Sequence, residues 1–93
     1  MTWWRTLGWK IEYTGRAVRQ LRGLDRQAAR RVVAYLDSVA RLEEPSARAK
    51  PLTGALRGLW RYRVGDYRVV VAFHREEVVI LAVDVGHRKE VYR

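Results

Sequence analysis

Residues 60–73 read Trp60-Arg61-Tyr62-Arg63-Val64-Gly65-Asp66-Tyr67-Arg68-Val69-Val70-Val71-Ala72-Phe73. From Trp60 to Val64 large apolar residues alternate with arginines, the pattern of a strand with one buried face. Gly65-Asp66 is a two-residue hairpin signal, and Tyr67 to Phe73 is the return strand. A turn of that length pairs Val64 with Tyr67 and Arg63 with Arg68. Because strand side chains alternate faces, Arg61, Arg63 and Arg68 share one side of the sheet. Trp60, Tyr62, Val64, Tyr67, Val69, Val71 and Phe73 share the other, which is the natural core face. Like charges directly opposite one another cost roughly 0.2–1 kcal/mol. A purely structural sheet has little reason to carry that cost, whereas a surface that holds an anion does. The plainer alternative is that these arginines splay into water and pair with Asp66, Asp84 or the Glu76-Glu77 turn. The opposed pair favours the anion site.

Outward from the hairpin, Val78 to Val85 is an almost wholly apolar strand suited to the middle of a sheet. Upstream, Trp9 to Tyr13 alternates with period two and predicts a first, half-buried strand. Thr14 can cap a helix on which Ala17, Val18, Leu21 and Leu24 share a face. Gly23-Leu24 ends it and Asp25 offers the next cap. Ala28, Val32, Leu36, Val39 and Ala40 then recur at helical spacing until Pro45 stops the pattern, with Arg26, Arg30 and Arg41 on the exposed side. Two helices joined this tightly form an antiparallel hairpin. A loop from Ser46 to Leu59, punctuated by Lys50-Pro-Leu-Thr-Gly54 and Gly58, leads back to the central hairpin. The predicted order is β-α-α-β-β-β, in one domain of 93 residues. Residues 1–8 form a possible N-terminal extension, in which Trp3 and Trp4 either lengthen the first strand or make a flexible start.

A domain of this size is only marginally stable alone, which makes a stabilising partner plausible. Lys and Arg total 19 against 10 acidic residues, for a net charge of +9, and Lys10, Lys50 and Lys89 are the only lysines. Arginine presents a planar fork that fits phosphate oxygens, so the balance points to a polyanion, nucleic acid first. Arginine in place of lysine throughout a solvated surface is the simpler explanation of the same numbers. There is no cysteine, and His74 and His87 lack the spacing that clamps a metal, so no metal or other cofactor is expected. No apolar run is long enough for a membrane helix, and the start lacks the apolar centre of a signal peptide, so a cytoplasmic protein without membrane contact is expected.

Further candidate residues lie at the two ends of the sheet region. Lys50, Thr53 and Arg57 line the loop before it, where they either touch phosphates of a polyanion or are simply solvated. After the last strand the chain is expected to turn at Gly86, giving Gly86-His87-Arg88-Lys89-Glu90-Val91-Tyr92. Alone this tail reads as an ordinary charged terminus.

Taken in order, Lys50-Pro-Leu-Thr-Gly54, Gly58-Leu-Trp-Arg-Tyr-Arg-Val-Gly-Asp-Tyr-Arg68, Val83-Asp-Val-Gly-His-Arg88 and Val91-Tyr92 resemble the RelE branch of the RelE/ParE toxin superfamily, from about Trp9 to the end of the chain. The resemblance implies an α+β fold, a small antiparallel-dominated sheet with a two-helix hairpin packed on one face. It implies the toxin of a type II toxin–antitoxin pair, a ribosome-dependent, metal-independent endoribonuclease that cuts messenger RNA. Carried over by motif, the catalytic residues implied are Arg61, Arg63, Arg68, Arg88 and Tyr92.

The chemistry implied is attack of a ribose 2′-hydroxyl on the adjacent phosphate, leaving a cyclic phosphate and a 5′-hydroxyl. The four arginines stabilise the added charge. Some relatives carry lysines where this chain has Arg61 and Arg63, and arginine does not deprotonate in proteins, so neither can be the general base. Tyr92, His87 or the ribosome must serve, although His87 is equally well a surface histidine that orders the turn. The partners implied are the ribosome with its mRNA and a cognate RelB-like antitoxin in a hetero-oligomeric complex. The antitoxin's toxin-binding segment should be acidic and apolar, laid as an amphipathic helix in a groove. The rival is a ParE-like inhibitor of DNA gyrase that cuts nothing; the folds coincide, so fold alone does not separate the two.

Overall fold

The computed structural model describes residues 8–87. Trp3, Trp4, Arg88 and Tyr92 therefore lie outside the described residues. In chain order the elements are β1 (Lys10–Tyr13), α1 (Gly15–Gly23), α2 (Arg26–Ala40), β2 (Lys50–Pro51), β3 (Trp60–Val64), β4 (Tyr67–His74) and β5 (Val79–His87). The five strands form one sheet in the order β1-β5-β4-β3-β2, with β1 parallel to β5 and every other pairing antiparallel. The predicted α+β order holds for the main elements, and β5 sits inside the sheet between β1 and β4.

Two points depart from expectation. The loop between α2 and β3 contributes a strand of its own, with Lys50 opposite Arg61 and Pro51 opposite Trp60. Pro51 has no N–H to give a second neighbour, which suits the outermost position it holds. The chain also does not turn at Gly86. β5 runs on to His87, and Gly86 lies in the ladder opposite Arg68.

Both helix starts form as their side chains dictate. Thr14 accepts a hydrogen bond from Ala17 N (3.1 Å), and Asp25 accepts one from Ala28 N (3.1 Å), each satisfying an otherwise orphaned donor of a first turn. The α2 stripe Ala28, Val32, Leu36, Val39 and Ala40 is buried throughout. On α1 only Ala17 is fully buried, while Val18, Leu21 and Leu24 are half-covered.

The β3–β4 register is the one the two-residue turn requires, with Gly65 supplying a positive φ of 60°. It puts Tyr62 in the middle of the core at 0 % exposure, edge-to-face with Tyr35 and Phe73. The Tyr62 hydroxyl donates to Pro45 O at 2.8 Å, tying β3 to the turn that follows α2 and pushing its pKa above the usual phenol value, mainly through burial. At this same C-terminal end of α2, Gly8 has φ +70° and passes so close that a Cβ there would lie 2.5 Å from Ala40 O; Trp9 N donates to the same oxygen at 2.8 Å.

The β4–β5 turn carries two further features. Arg75 forks onto Glu44 (3.2 and 2.9 Å), and its guanidinium lies 5.8 Å from the Trp9 ring centroid and 5.7 Å from that of Phe73. Hydrogen bonds from Arg75, then from Ser46, bring the Glu44 pKa down to about 2. Val78 closes the turn at φ 57°, a left-handed conformation that a β-branched residue rarely adopts.

Two outcomes are expected. A left-handed backbone costs a residue with a Cβ about 1–2 kcal/mol, and glycine's added chain entropy offsets about 0.5–1 kcal/mol of the relief. Val78→Gly should therefore raise stability in urea titration by about 0.5–1 kcal/mol. Because Glu44 is lowered in the folded state, its contribution is present above the usual carboxylate range and fades as pH falls towards about 2. Thermal melts of Glu44→Gln should lack that acid-side loss; an unchanged pH profile would show that the Arg75 pair contributes nothing.

Candidate nucleic-acid interface

The hairpin register and the two strands that flank it, β2 and β5, set the side-chain rows on the sheet face turned away from the α2 core stripe. One row runs Lys50, Arg61, Val70, Asp84 across four strands, and the next runs Arg63, Arg68, Gly86 across three. With strands spaced about 4.8 Å apart and neighbours on one face about 6.7 Å apart along a strand, these cations occupy one compact patch. Arg63 and Lys50 are exposed, while Arg61 and Arg68 are half-buried. The structure thus brings together Arg61, Arg63 and Arg68, and adds Lys50, which the sequence had placed in a loop.

Val70, at the centre of this face, is only 2 % exposed. The face thus carries a shielded apolar residue between Arg61 and Asp84, with the exposed Arg63 and Lys50 nearby. Asp84, one of the carboxylates the sequence offered as a neutralising partner, is engaged elsewhere. Its Oδ1 accepts from Arg16 Nε (3.1 Å) and from Gln20 Nε2 (2.5 Å), both on α1.

The remaining candidates are placed differently. His87 pairs with Tyr67 across the ladder, with ring centroids 5.9 Å apart in an edge-to-face contact. By alternation that is the opposite side of the sheet from Arg68. Arg57 closes the short 3-10 turn Gly54–Leu56 and is exposed, outside the sheet. Among the described residues no group of three His, Asp or Glu side chains is arranged to hold a metal, and no helix is long and apolar enough to cross a membrane. What the patch can do chemically is bind a phosphodiester with planar, bidentate donors and stabilise negative charge developing on it.

On the helix side, a groove of about 540 Å³ opens between α1 and α2, walled by Tyr13, Val18, Leu21 and Val33 with Arg22 and Arg26 at its rim. The Tyr13 hydroxyl is shielded from solvent there without a hydrogen-bond partner, and burial, followed by the nearby Asp37, pushes its pKa up. The sequence patterning marked Val18, Leu21 and Leu24 as one helix face and Tyr13 as the end of the first strand, without joining them into a groove. Gln20 and Arg16 were missed, and the one signal for them is a lone carboxylate, Asp84, inside an otherwise apolar strand.

Residues 11–92 match the family described as the ParE toxin of type II toxin-antitoxin system, parDE. The chain belongs to this family. Solved structures place it in the wider RelE/ParE superfamily. It superposes on a chain of the RelBE2 toxin–antitoxin complex from Mycobacterium tuberculosis with a TM-score of 0.79 and 28 % identity, covering 87 % of this chain and 99 % of that one. Against the archaeal RelE–RelB complex from Pyrococcus horikoshii OT3 the TM-score is 0.68 at 26 % identity, with 89 % and 98 % covered. The isolated E. coli RelE toxin shares the fold at a TM-score of 0.70 and 21 % identity, with 86 % and 84 % covered. A search of curated proteins returned no match. The chain is thus a toxin of a type II toxin–antitoxin system with the RelE/ParE fold, and it shares that fold with chains of structures described as toxin–antitoxin complexes.

The opposed arginines give a direct test of the anion site in this toxin. Arg63→Thr should stabilise the hairpin by roughly 0.2–1 kcal/mol by removing the repulsion across from Arg68. The same change should weaken binding of a single-stranded RNA oligonucleotide and reduce the slope of log K against log salt by about 0.7 if one phosphate contact is lost. Fluorescence anisotropy across a salt series, beside thermal melts, reads both. Lower stability with unchanged RNA affinity would mean that Arg63 pairs structurally and does not hold an anion.

Proposed function

We propose that this toxin is a ribosome-dependent endoribonuclease that cuts messenger RNA, in the cytoplasm, and is neutralised by a cognate antitoxin. The observation that supports this most is the patch of Lys50, Arg61, Arg63 and Arg68, held on one face by strand register around the buried Val70. A protein that only binds another protein gains little from setting Arg63 directly opposite Arg68. An enzyme that must stabilise a pentacoordinate phosphorus with extra negative charge gains a great deal.

In this mechanism the 2′-hydroxyl of one nucleotide attacks the adjacent phosphorus and the 5′-oxygen of the next nucleotide leaves. The products are a cyclic phosphate and a 5′-hydroxyl. Arg61, Arg63, Arg68 and the following Arg88 neutralise the charge, and Lys50 and Arg57 hold flanking phosphates or ribosomal RNA. Proton transfer falls to Tyr92, to His87 or to groups of the ribosome, because guanidinium groups do not deprotonate. His87 is the weaker candidate for direct contact, since its partner in the ladder is Tyr67 on the far side of the sheet. No metal enters the scheme.

The antitoxin in this proposal is RelB-like, acidic and apolar, and binds as part of a hetero-oligomeric complex. The α1–α2 groove has matching chemistry, an apolar floor with Arg22 and Arg26 at its rim. The match to the ParE family description supports a second function, inhibition of DNA gyrase without cleavage.

The deciding experiment adds the purified toxin to a reconstituted translation reaction and maps mRNA ends by primer extension. Discrete cuts in the ribosomal A site are expected, absent without ribosomes and absent with a folded Arg88→Ala variant. Intact mRNA together with inhibited supercoiling by gyrase would establish the second function instead. Full activity of Arg88→Ala would remove Arg88 from the mechanism.

A further inference from the structure

β1 pairs with β5 only as far as Tyr13 opposite Ala82, where the chain leaves the sheet and enters α1. Among the described residues, β5 has no strand on that side from Val83 onward. Its polar groups there are taken up by the first turns of α1. Thr14 N donates to Ala82 O (3.0 Å), and Thr14 Oγ1 donates to Val83 O (3.4 Å). Arg16 Nε and Gln20 Nε2 both donate to Asp84 Oδ1. Gln20 Oε1 accepts from Val85 N (2.7 Å). One side-chain amide therefore holds the carboxylate of one residue and the backbone of the next.

The residues so held are those of the irregularity in the β4–β5 ladder. Val69 faces Val85 and Val70 faces Asp84, but Val71 faces Ala82, so Val83 is an extra residue on β5. The bulge resets the alternation. Ala82 and Val85 are three positions apart and yet both buried on the core side. If the bulge were lost with Ala82 fixed, Asp84 would move opposite Val69 in the core and Val85 would move opposite Arg68. As built, Gly86 is opposite Arg68, and the anion patch is flanked there by bare backbone.

We propose that Gln20 is a positioning residue for the arginine patch: by pinning Asp84 and Val85 it fixes the Val83 bulge, and so keeps Gly86, which has no side chain to obstruct an anion, beside Arg68. The functional half of this statement rests on the nuclease proposal above, while the structural half does not. Gln20 touches no substrate in this scheme. It acts through β5, and a stretch of strand paired on one side only frays more readily unless its free donors are held.

The test uses the full chain in complex with its antitoxin and free, with amide hydrogen exchange and RNA cleavage read in parallel. In Gln20→Ala the exchange at Val85 and Gly86 should speed up about tenfold while protection in α2 and β3 stays, as expected for loss of one side-chain-to-backbone bond at a strand end. Cleavage should fall in kcat with the fold and antitoxin binding kept. Gln20→Glu sets two carboxylates against each other and should show the same defect. Adding Asp84→Asn to it restores a donor–acceptor pair, and should rescue both slow exchange at Val85 and cleavage. Rescue by a partner 64 positions away would assign the defect to the Gln20–Asp84 contact itself and not to a general loss of helix stability. Unchanged exchange at Val85 in Gln20→Ala, or a double variant as defective as Gln20→Glu alone, would overturn the proposal. A wild-type toxin that shows the expected exchange pattern and cuts no mRNA would overturn the nuclease proposal and the functional half of this one, leaving the bulge clamp itself supported.

Discussion

The length of one turn governs this structure. With only Gly65 and Asp66 between β3 and β4, a slip of one residue would carry every side chain of the hairpin to the wrong face. Tyr62, Val69 and Val71 would be moved out of a core in which each has no exposed surface, and arginines would be driven in. Burying an unpaired guanidinium costs far more than any local gain returns. The register is therefore fixed by the strongest forces available to so small a protein. The grouping of Arg61, Arg63 and Arg68 follows from it without further instruction.

How much of this was legible in the sequence depends on how local the cause is. The hairpin, the two capped helices and the buried stripe of α2 are written in short-range patterns, and the structure has them where the patterns put them. β2 was not legible, because two residues show no period, and only pairing with β3 makes Lys50-Pro51 a strand. That same pairing moves Lys50 from a loop onto the arginine face. The β5 bulge was hidden for a related reason: an extra residue exists only relative to the partner strand. Gly86 looked like punctuation and is a ladder position. Gln20 and Asp84 meet across 64 residues, beyond any sequence period. Val78 misled in a smaller way, since nothing in a valine announces a left-handed turn.

Membership of the toxin family and the chemistry of the patch are separate matters, and they constrain each other. The fold places a cationic surface on the sheet face turned away from the core stripe of α2 and an apolar, arginine-rimmed groove between the helices. One fits a polyanion and the other a protein segment, so the two faces need not compete for a single ligand.

Beyond Trp60 and Arg61, β2 gives β3 no partner, so among the described residues the backbone of Tyr62 to Val64 forms part of the sheet's outer border. An open border of this kind is where two copies of a protein would join into a continuous sheet. Here Pro51 cannot extend the ladder, and antiparallel docking of a second copy would bring its Arg63 towards the first. Charge of one sign along this border thereby works against joining two copies of the toxin edge to edge.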